Sequence, residues 1–254
     1  MQSVMRGRWR ATGEELYREV ADLTDARPGT DLIVSGSGDG VTAEWLAART
    51  GAAVTGVDAD ARRVARAEAR RKAGRTATTV SYETAPLDDL PHETSVFDAA
   101  VGESAIAAAA DADRAVQELV RVTKPLGHVV LLLPTWTSEI IEGDREALVE
   151  RLGFRPRLLV EWKQMLRAAG LVDITVQDWS DGAPSARTTP RDAMPALTWR
   201  QKTHIAARAW RRRGWKAARG AVRREQELLG ELSRERALGF QLLSGVKWPH
   251  ARMT

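Results

Sequence analysis

Residues 31–47 read DLIVSGSGDGVTAEWLA, an apolar run that ends in glycines at positions 36, 38 and 40 and passes straight into a helix-like segment. Glycine frees the backbone to take positive φ and lets a ligand approach the main chain. Amides left free at the start of a helix favour an anion. The same order of elements recurs along the chain. Short runs rich in Val, Ile, Leu and Thr at 31–35, 53–57, 79–84, 97–102, 127–133 and 172–179 alternate with Ala- and Arg-rich segments of helical spacing. Strands joined by crossover helices predict a parallel sheet covered on both faces. Asp60 and Asp111 stand where helix N-caps belong, and Gly74 where a helix stops.

Composition narrows the rest. The chain has 254 residues, 43% of them hydrophobic, enough for a sizeable core. No apolar run reaches the length of a membrane span, and no apolar stretch follows the basic N-terminus. A cytoplasmic location is expected. Cysteine is absent, which excludes disulfides and thiolate chemistry. The histidines, His92, His128, His204 and His250, are too scattered for a metal site, and none is expected.

Asp58 ends the strand after the glycine turn. An acid at that place can accept hydrogen bonds from both hydroxyls of a ribose. Together the turn and the acid point to an adenosine-type nucleoside. The dinucleotide fingerprint G-x-G-x-x-G is not met, because Val41 holds its last position.

Five segments in order carry a family resemblance: VSGSGDG, VTGVD, LDDLPHETSVFDAAV, RAVQELVRVTKPLGHVVLL and EWKQMLRAAGLVDITVQDW. They resemble class I S-adenosylmethionine-dependent methyltransferases, especially the group containing quinone-biosynthesis and sterol enzymes. The resemblance implies an α/β fold with a seven-stranded, mostly parallel Rossmann-like sheet, helices on both faces, and a helical insertion before an antiparallel last strand. The resemblance covers about residues 15–180 and the last strand; with Pro184, Pro190 and Pro195 breaking the pattern and Leu238, Phe240 and Leu242 alternating, the chain reads as one domain over 1–254, with an N-terminal helical segment at 1–29, a basic cap at about 187–236 and a last strand at about 237–247.

The cofactor implied is S-adenosyl-L-methionine. Gly36, Ser37 and Gly38 would line its methionine end, Asp58 would hold the ribose, and Ala59 would lie beside the adenine. Leu87 would offer a backbone amide to the adenine, with Asp88 nearby. Glu103 and Ser104 would face the sulfonium or the acceptor. Glu103 and Glu139 are the candidate general bases, and Trp136 is the candidate acceptor-pocket residue. The family's pattern is broken at three places: Val34 and Pro86 stand where acids are usual, and Leu126 where the K-P-G-G turn has glycine. An alternative reading of these departures is a cofactor-binding protein of the same fold without catalysis.

Charge is unevenly spread. Residues 187–254 carry 16 lysines and arginines against five acids, a net +11, while the remainder carries −7. Trp199, Trp210 and the Arg211–Arg213 run fit three uses: a solvated cap, a peripheral contact with anionic membrane, or a nucleic-acid surface. A small-molecule acceptor is expected, because the resemblance is to small-molecule enzymes and the core is acidic. Oligomeric state is not read from the sequence.

Overall fold

A computed structural model of the protein describes residues 14–74, 79–136, 149, 154–180 and 238–249. In chain order the elements are α1 (Glu14–Leu23), β1 (Asp31–Ser35), α2 (Val41–Thr50), β2 (Ala53–Asp58), α3 (Ala61–Lys72) and β3 (Val80–Thr84). There follow β4 (Phe97–Gly102), a 3₁₀ turn at Ile106–Ala108, α4 (Ala112–Val122), β5 (Thr123–Trp136), β6 (Arg157–Leu158), α5 (Leu159–Ala168), β7 (Leu171–Asp178) and β8 (Leu238–Lys247).

All eight strands lie in one sheet of order β3-β2-β1-β4-β5-β8-β7, with β6 pairing only the end of β5. Every pairing is parallel except those of β8, which runs antiparallel to β5 and β7. The seven expected strands are therefore present, with the last one antiparallel. The eighth, β6, is a correction. Its two residues extend the sheet opposite Thr135 and Trp136, too short a run to show periodicity.

The strands read as continuous apolar runs because both faces are covered. Leu32 and Val34 of β1 enter the layer that holds Leu16 and Val20 of α1 and Leu46 of α2. Ile33, between them, enters the opposite layer with Leu119 of α4 and Trp162 of α5. The same period of two places Val130 and Leu132 of β5 on one side and Val129 and Leu131 on the other. Full burial of each such Leu or Ile stabilises the fold by about 1.5–3 kcal/mol.

The two aspartate caps form as expected. Asp60 accepts the Arg62 N–H at 3.0 Å, and Asp111 accepts the Arg114 N–H at 2.9 Å. Gly74 takes φ 67°, the left-handed form that ends a helix.

Strand β5 begins earlier than the expected 127, because the K-P-L-G turn is built into it as an irregular bulge between the partners of Phe97 and Ala99. Leu126 sits at the turn with φ 65° and is exposed. Of the expected N-terminal segment, 1–29, α1 is the described helix. Glu139, and the basic segment at 187–236 with His204, Trp199, Trp210 and Arg211–Arg213, lie outside the described residues. The chain leaves the described region after Ser180 and returns at Leu238. Leu238 pairs with Trp136 at the carboxyl end of β5, so both ends open at the edge where β1, β2 and β4 also finish.

Candidate functional site

Strand order reverses between β1 and β4, and the crevice outside their carboxyl ends is where ligands bind in open α/β sheets. Three loops meet there: 36–40 after β1, 85–92 after β3 and 103–110 after β4.

The first loop folds back over β2. The Gly36 and Ser37 N–H groups both donate to the Val57 carbonyl, at 2.8 and 3.0 Å. Gly36 has φ 78°, and a Cβ there would come within 2.7 Å of the Ala105 Cβ. Glycine is therefore required twice, by conformation and by the close approach of the β4 loop.

Asp58, the last residue of β2, is buried. One carboxylate oxygen accepts the Gly38 N–H at 2.8 Å and the other accepts the Asp60 N–H at 2.9 Å. Arg63 stands 3.9 Å away. A carboxylate offers about four acceptor directions. Two are used by backbone, so the group can hold the loop and still accept a vicinal diol. Ser35, the last residue of β1, and Ser37, on the loop, are buried, and their hydroxyls find no hydrogen-bond partner among the described residues. Buried polar atoms are usually satisfied, so each of these hydroxyls has a hydrogen bond still to make.

Glu103 follows β4 and is buried. Its N–H donates to the Ser35 carbonyl at 3.0 Å, which fixes it against the first loop. Its Cβ would lie 3.7 Å from a Cβ at Gly36. Ser104 beside it is half-buried. Ala59 is exposed just beyond Asp58, and Leu87 is buried in the layer under the 85–92 loop. Asp88 accepts the Asp111 N–H at 3.2 Å, which ties that loop to the start of α4. The structure thus brings Gly36, Ser37, Gly38, Asp58 and Glu103 to one crevice.

Val34 is fully buried in the β1 core, and Pro86 is exposed. Neither position supplies an acid.

A cavity of about 420 Å³ opens beyond the ends of β4 and β5. Ala107–Ala110 form its small-residue floor, and Trp136, Phe154 and Pro156 add apolar wall. Arg157 at its rim is neutralised by Asp113 through two contacts of 2.9 and 3.1 Å. Phe154 and the segment through Leu158 were not read from the sequence as part of any site. They carry no motif, and only the pairing of β6 with β5 brings them beside Trp136.

The 85–92 loop is anchored from below. Glu118 on α4 is buried and accepts the Leu90 N–H at 2.9 Å. Arg121 binds Glu118 at 2.7 and 2.8 Å and also donates to the Leu90 and His92 carbonyls. Burial pushes the Glu118 carboxyl up, but Arg121 and the Leu90 N–H outweigh it and hold it below the usual range.

Residues 33–131 match the family model described as "Methyltransferase domain". The chain is 25% identical over 218 residues to the chloroplastic tocopherol O-methyltransferase of Arabidopsis thaliana, covering 81% of this chain and 60% of that protein. It is 34% identical over 128 residues to 2-phytyl-1,4-naphtoquinone methyltransferase of Trichormus variabilis, covering 49% of this chain and 56% of that protein. The chain thus spans less than two thirds of these relatives' length.

Among solved structures, a putative sarcosine dimethylglycine methyltransferase from Galdieria sulphuraria superposes with a TM-score of 0.73 at 17% identity, over 93% of this chain and 85% of that one. The [4+2]-cyclase SpnF does so with a TM-score of 0.70 at 23% identity, over 92% and 81%. The class follows from fold and match together. Residues 33–131 match a methyltransferase domain, and the chain resembles the class I S-adenosylmethionine-dependent methyltransferases of the quinone and sterol type.

Proposed function

We propose that the chain is an S-adenosylmethionine-dependent methyltransferase that methylates a small, partly apolar acceptor at O, C or N. The observation that carries this reading is Asp58. It is a buried carboxylate at the end of β2, with acceptor capacity left over after it has bound the glycine loop. The unpartnered Ser35 and Ser37 hydroxyls beside it fit the same polar ligand. Asp58 would hold the ribose, with Ala59, Leu87 and Asp88 at the adenine end. Gly36, Ser37 and Gly38 would line the methionine end, with Glu103 and Ser104 on the β4 side.

The cofactor supplies a methyl group activated by the positive charge of its sulfonium. The protein's part is to align the acceptor with that methyl group and exclude water. Glu103, buried and pinned to β1, favours a cation in the crevice. For an acceptor that must lose a proton, Glu103 is the candidate base among the described residues, since Glu139 lies outside them. Trp136, Phe154 and Ala107–Ala110 give the cavity an apolar part beside Arg155, Arg157 and Glu161, which suits a partly apolar acceptor. The quinone-type and tocopherol substrates named for the relatives support an acceptor of that kind, and the negative charge outside residues 187–254 disfavours nucleic acid. Peripheral contact with anionic membrane through the basic segment is retained as part of the proposal, because it suits a lipophilic acceptor.

A second reading is favoured by two observations. Val34 and Pro86 supply no acid, and one structural relative is named a cyclase, so this fold alone does not carry methyl transfer. The chain would then bind the cofactor without methylating anything.

The deciding experiment is an unbiased metabolite screen. The expected result is a product heavier by one CH₂ unit that needs both the protein and S-adenosylmethionine. Cofactor binding with no such product across quinols, phenols, amines and prenyl compounds would favour the second reading.

A further inference from the structure

The glycine loop is gripped from its outer side by side chains that stand outside the nucleoside crevice. Tyr82, on β3, packs closely against the backbone of two glycines, Gly40 and Gly56. A Cβ at Gly40 would come within 2.3 Å of its hydroxyl, and one at Gly56 within 2.8 Å of its ring. The Tyr82 hydroxyl is 3.3 Å from the Gly40 carbonyl and 3.2 Å from Glu44 Oε1. Burial first, and then the Glu44 carboxylate, push the phenol far above its ordinary range, so it stays a donor.

Arg70 reaches over from α3. Its Nη2 and Nε donate to Glu44 Oε1 at 2.6 and 3.2 Å, and Nη2 also donates to the Asp39 carbonyl. Arg66, one turn earlier, donates to Asp39 Oδ1 at 2.7 and 3.1 Å. The Glu44 and Arg70 side chains are 22% and 34% exposed, so this pair is screened only in part. Elements α2, α3 and β3 thus converge on residues 39 and 40.

We infer that Tyr82, Glu44 and Arg70 are positioning residues that preset the 36–40 loop in its nucleoside-binding shape before the ligand arrives. The inference rests on the cofactor reading above. A loop with glycines at 36, 38 and 40 has many conformations to lose on ordering. Val34, buried and apolar at the entry to the loop, offers no polar side chain to restrict them. Asp58 holds the loop on its inner side, at Gly38. The clamp holds the outer side, at Asp39 and Gly40. When ordering is complete in the free protein, binding energy is not drawn down to achieve it.

The test is calorimetric titration of S-adenosylhomocysteine into the full chain and its Arg70→Met, Glu44→Ala, Glu44→Gln and Tyr82→Phe variants. Melting temperature and amide hydrogen exchange of residues 37–42 are measured on the same proteins. Arg70→Met and Glu44→Ala are expected to raise Kd by about tenfold, and Tyr82→Phe by about threefold. Exchange in the free loop should speed up by about the same factors and return to the unsubstituted rate at saturating ligand.

Glu44→Gln keeps an acceptor for Arg70 and Tyr82 and should stay within about threefold of the unsubstituted Kd. Unchanged Kd in all four variants, or a rise that only follows a fall in melting temperature, would overturn the clamp while leaving the site intact. No binding by the unsubstituted chain would overturn the cofactor reading, and the clamp with it.

Discussion

Asp58 and Gly38 are joined by a 2.8 Å hydrogen bond across 20 residues of chain. The acid that would meet a ribose therefore also shapes the loop that would meet the methionine end. Asp58→Ala removes both functions and should raise the Kd for S-adenosylhomocysteine by about 30-fold or more. Asp58→Asn should be nearly as damaging. Its amide would turn a donor toward either the Gly38 or the Asp60 N–H, where two acceptors now stand. Calorimetry on both variants checks this, and an Asn variant with unchanged affinity would remove the loop-holding role.

Leu126 occupies a left-handed conformation that suits glycine, at φ 65° and 62% exposed. Leu126→Gly relieves a strain of about 1–2 kcal/mol and loses little packing, though glycine's extra chain entropy offsets part of the gain. The net expectation is about 1 kcal/mol, or a rise of about 2–4 °C in Tm for a chain of this size. Thermal unfolding measures it, and a lower Tm would show that the bulge needs the leucine side chain.

These two positions show what was legible in the sequence. Asp58 and Leu126 stand in local patterns, a strand end and a turn, and local patterns can be read directly. So can the caps at Asp60 and Asp111, whose partners lie two and three residues away. The positions of the strands along the chain were legible because each interior strand is buried on both faces and reads as an apolar run. Tyr82 was not read as part of the site. Its partners Gly40 and Glu44 are 42 and 38 residues distant, and only strand pairing brings them together. The wall at Phe154–Leu158 was hidden for the same reason, since it depends on a two-residue strand.

Glu118 is one source of acid sensitivity among the described residues. Burial pushes its carboxyl up, but Arg121 and the Leu90 N–H together hold its folded pKa below the ordinary glutamate range. The unfolded chain therefore takes up the proton first. The stabilisation is fully present above the unfolded value and is lost as pH falls through the folded one. Unfolding monitored between neutral pH and about pH 3 should show a loss of stability that is reduced in Glu118→Gln. At neutral pH the same variant should be less stable by about 3 kcal/mol, because Arg121 loses its carboxylate partner. It should also loosen the 85–92 loop. Equal pH slopes for the two proteins would contradict the assignment.

Trp136 tests whether the cavity proposed for the acceptor is distinct from the proposed cofactor site. It lines the cavity beyond β4 and β5 and is itself buried. Trp136→Phe keeps an aromatic wall and is expected to leave the Kd for S-adenosylhomocysteine within about twofold. Turnover of an acceptor found in the metabolite screen should fall by about tenfold through a raised KM. Steady-state kinetics on that acceptor test it, and a change confined to cofactor affinity would move Trp136 to the other site.

The central claim is that the crevice at Asp58 and the glycine loop binds the methyl donor. Its most direct measurement is calorimetric titration of S-adenosylmethionine and S-adenosylhomocysteine into the purified chain, with NAD as the control ligand. The account predicts saturable binding of both at one site per chain, no binding of NAD, and loss of the signal in Asp58→Ala. Absence of heat with either ligand, or a signal that Asp58→Ala leaves unchanged, would contradict it.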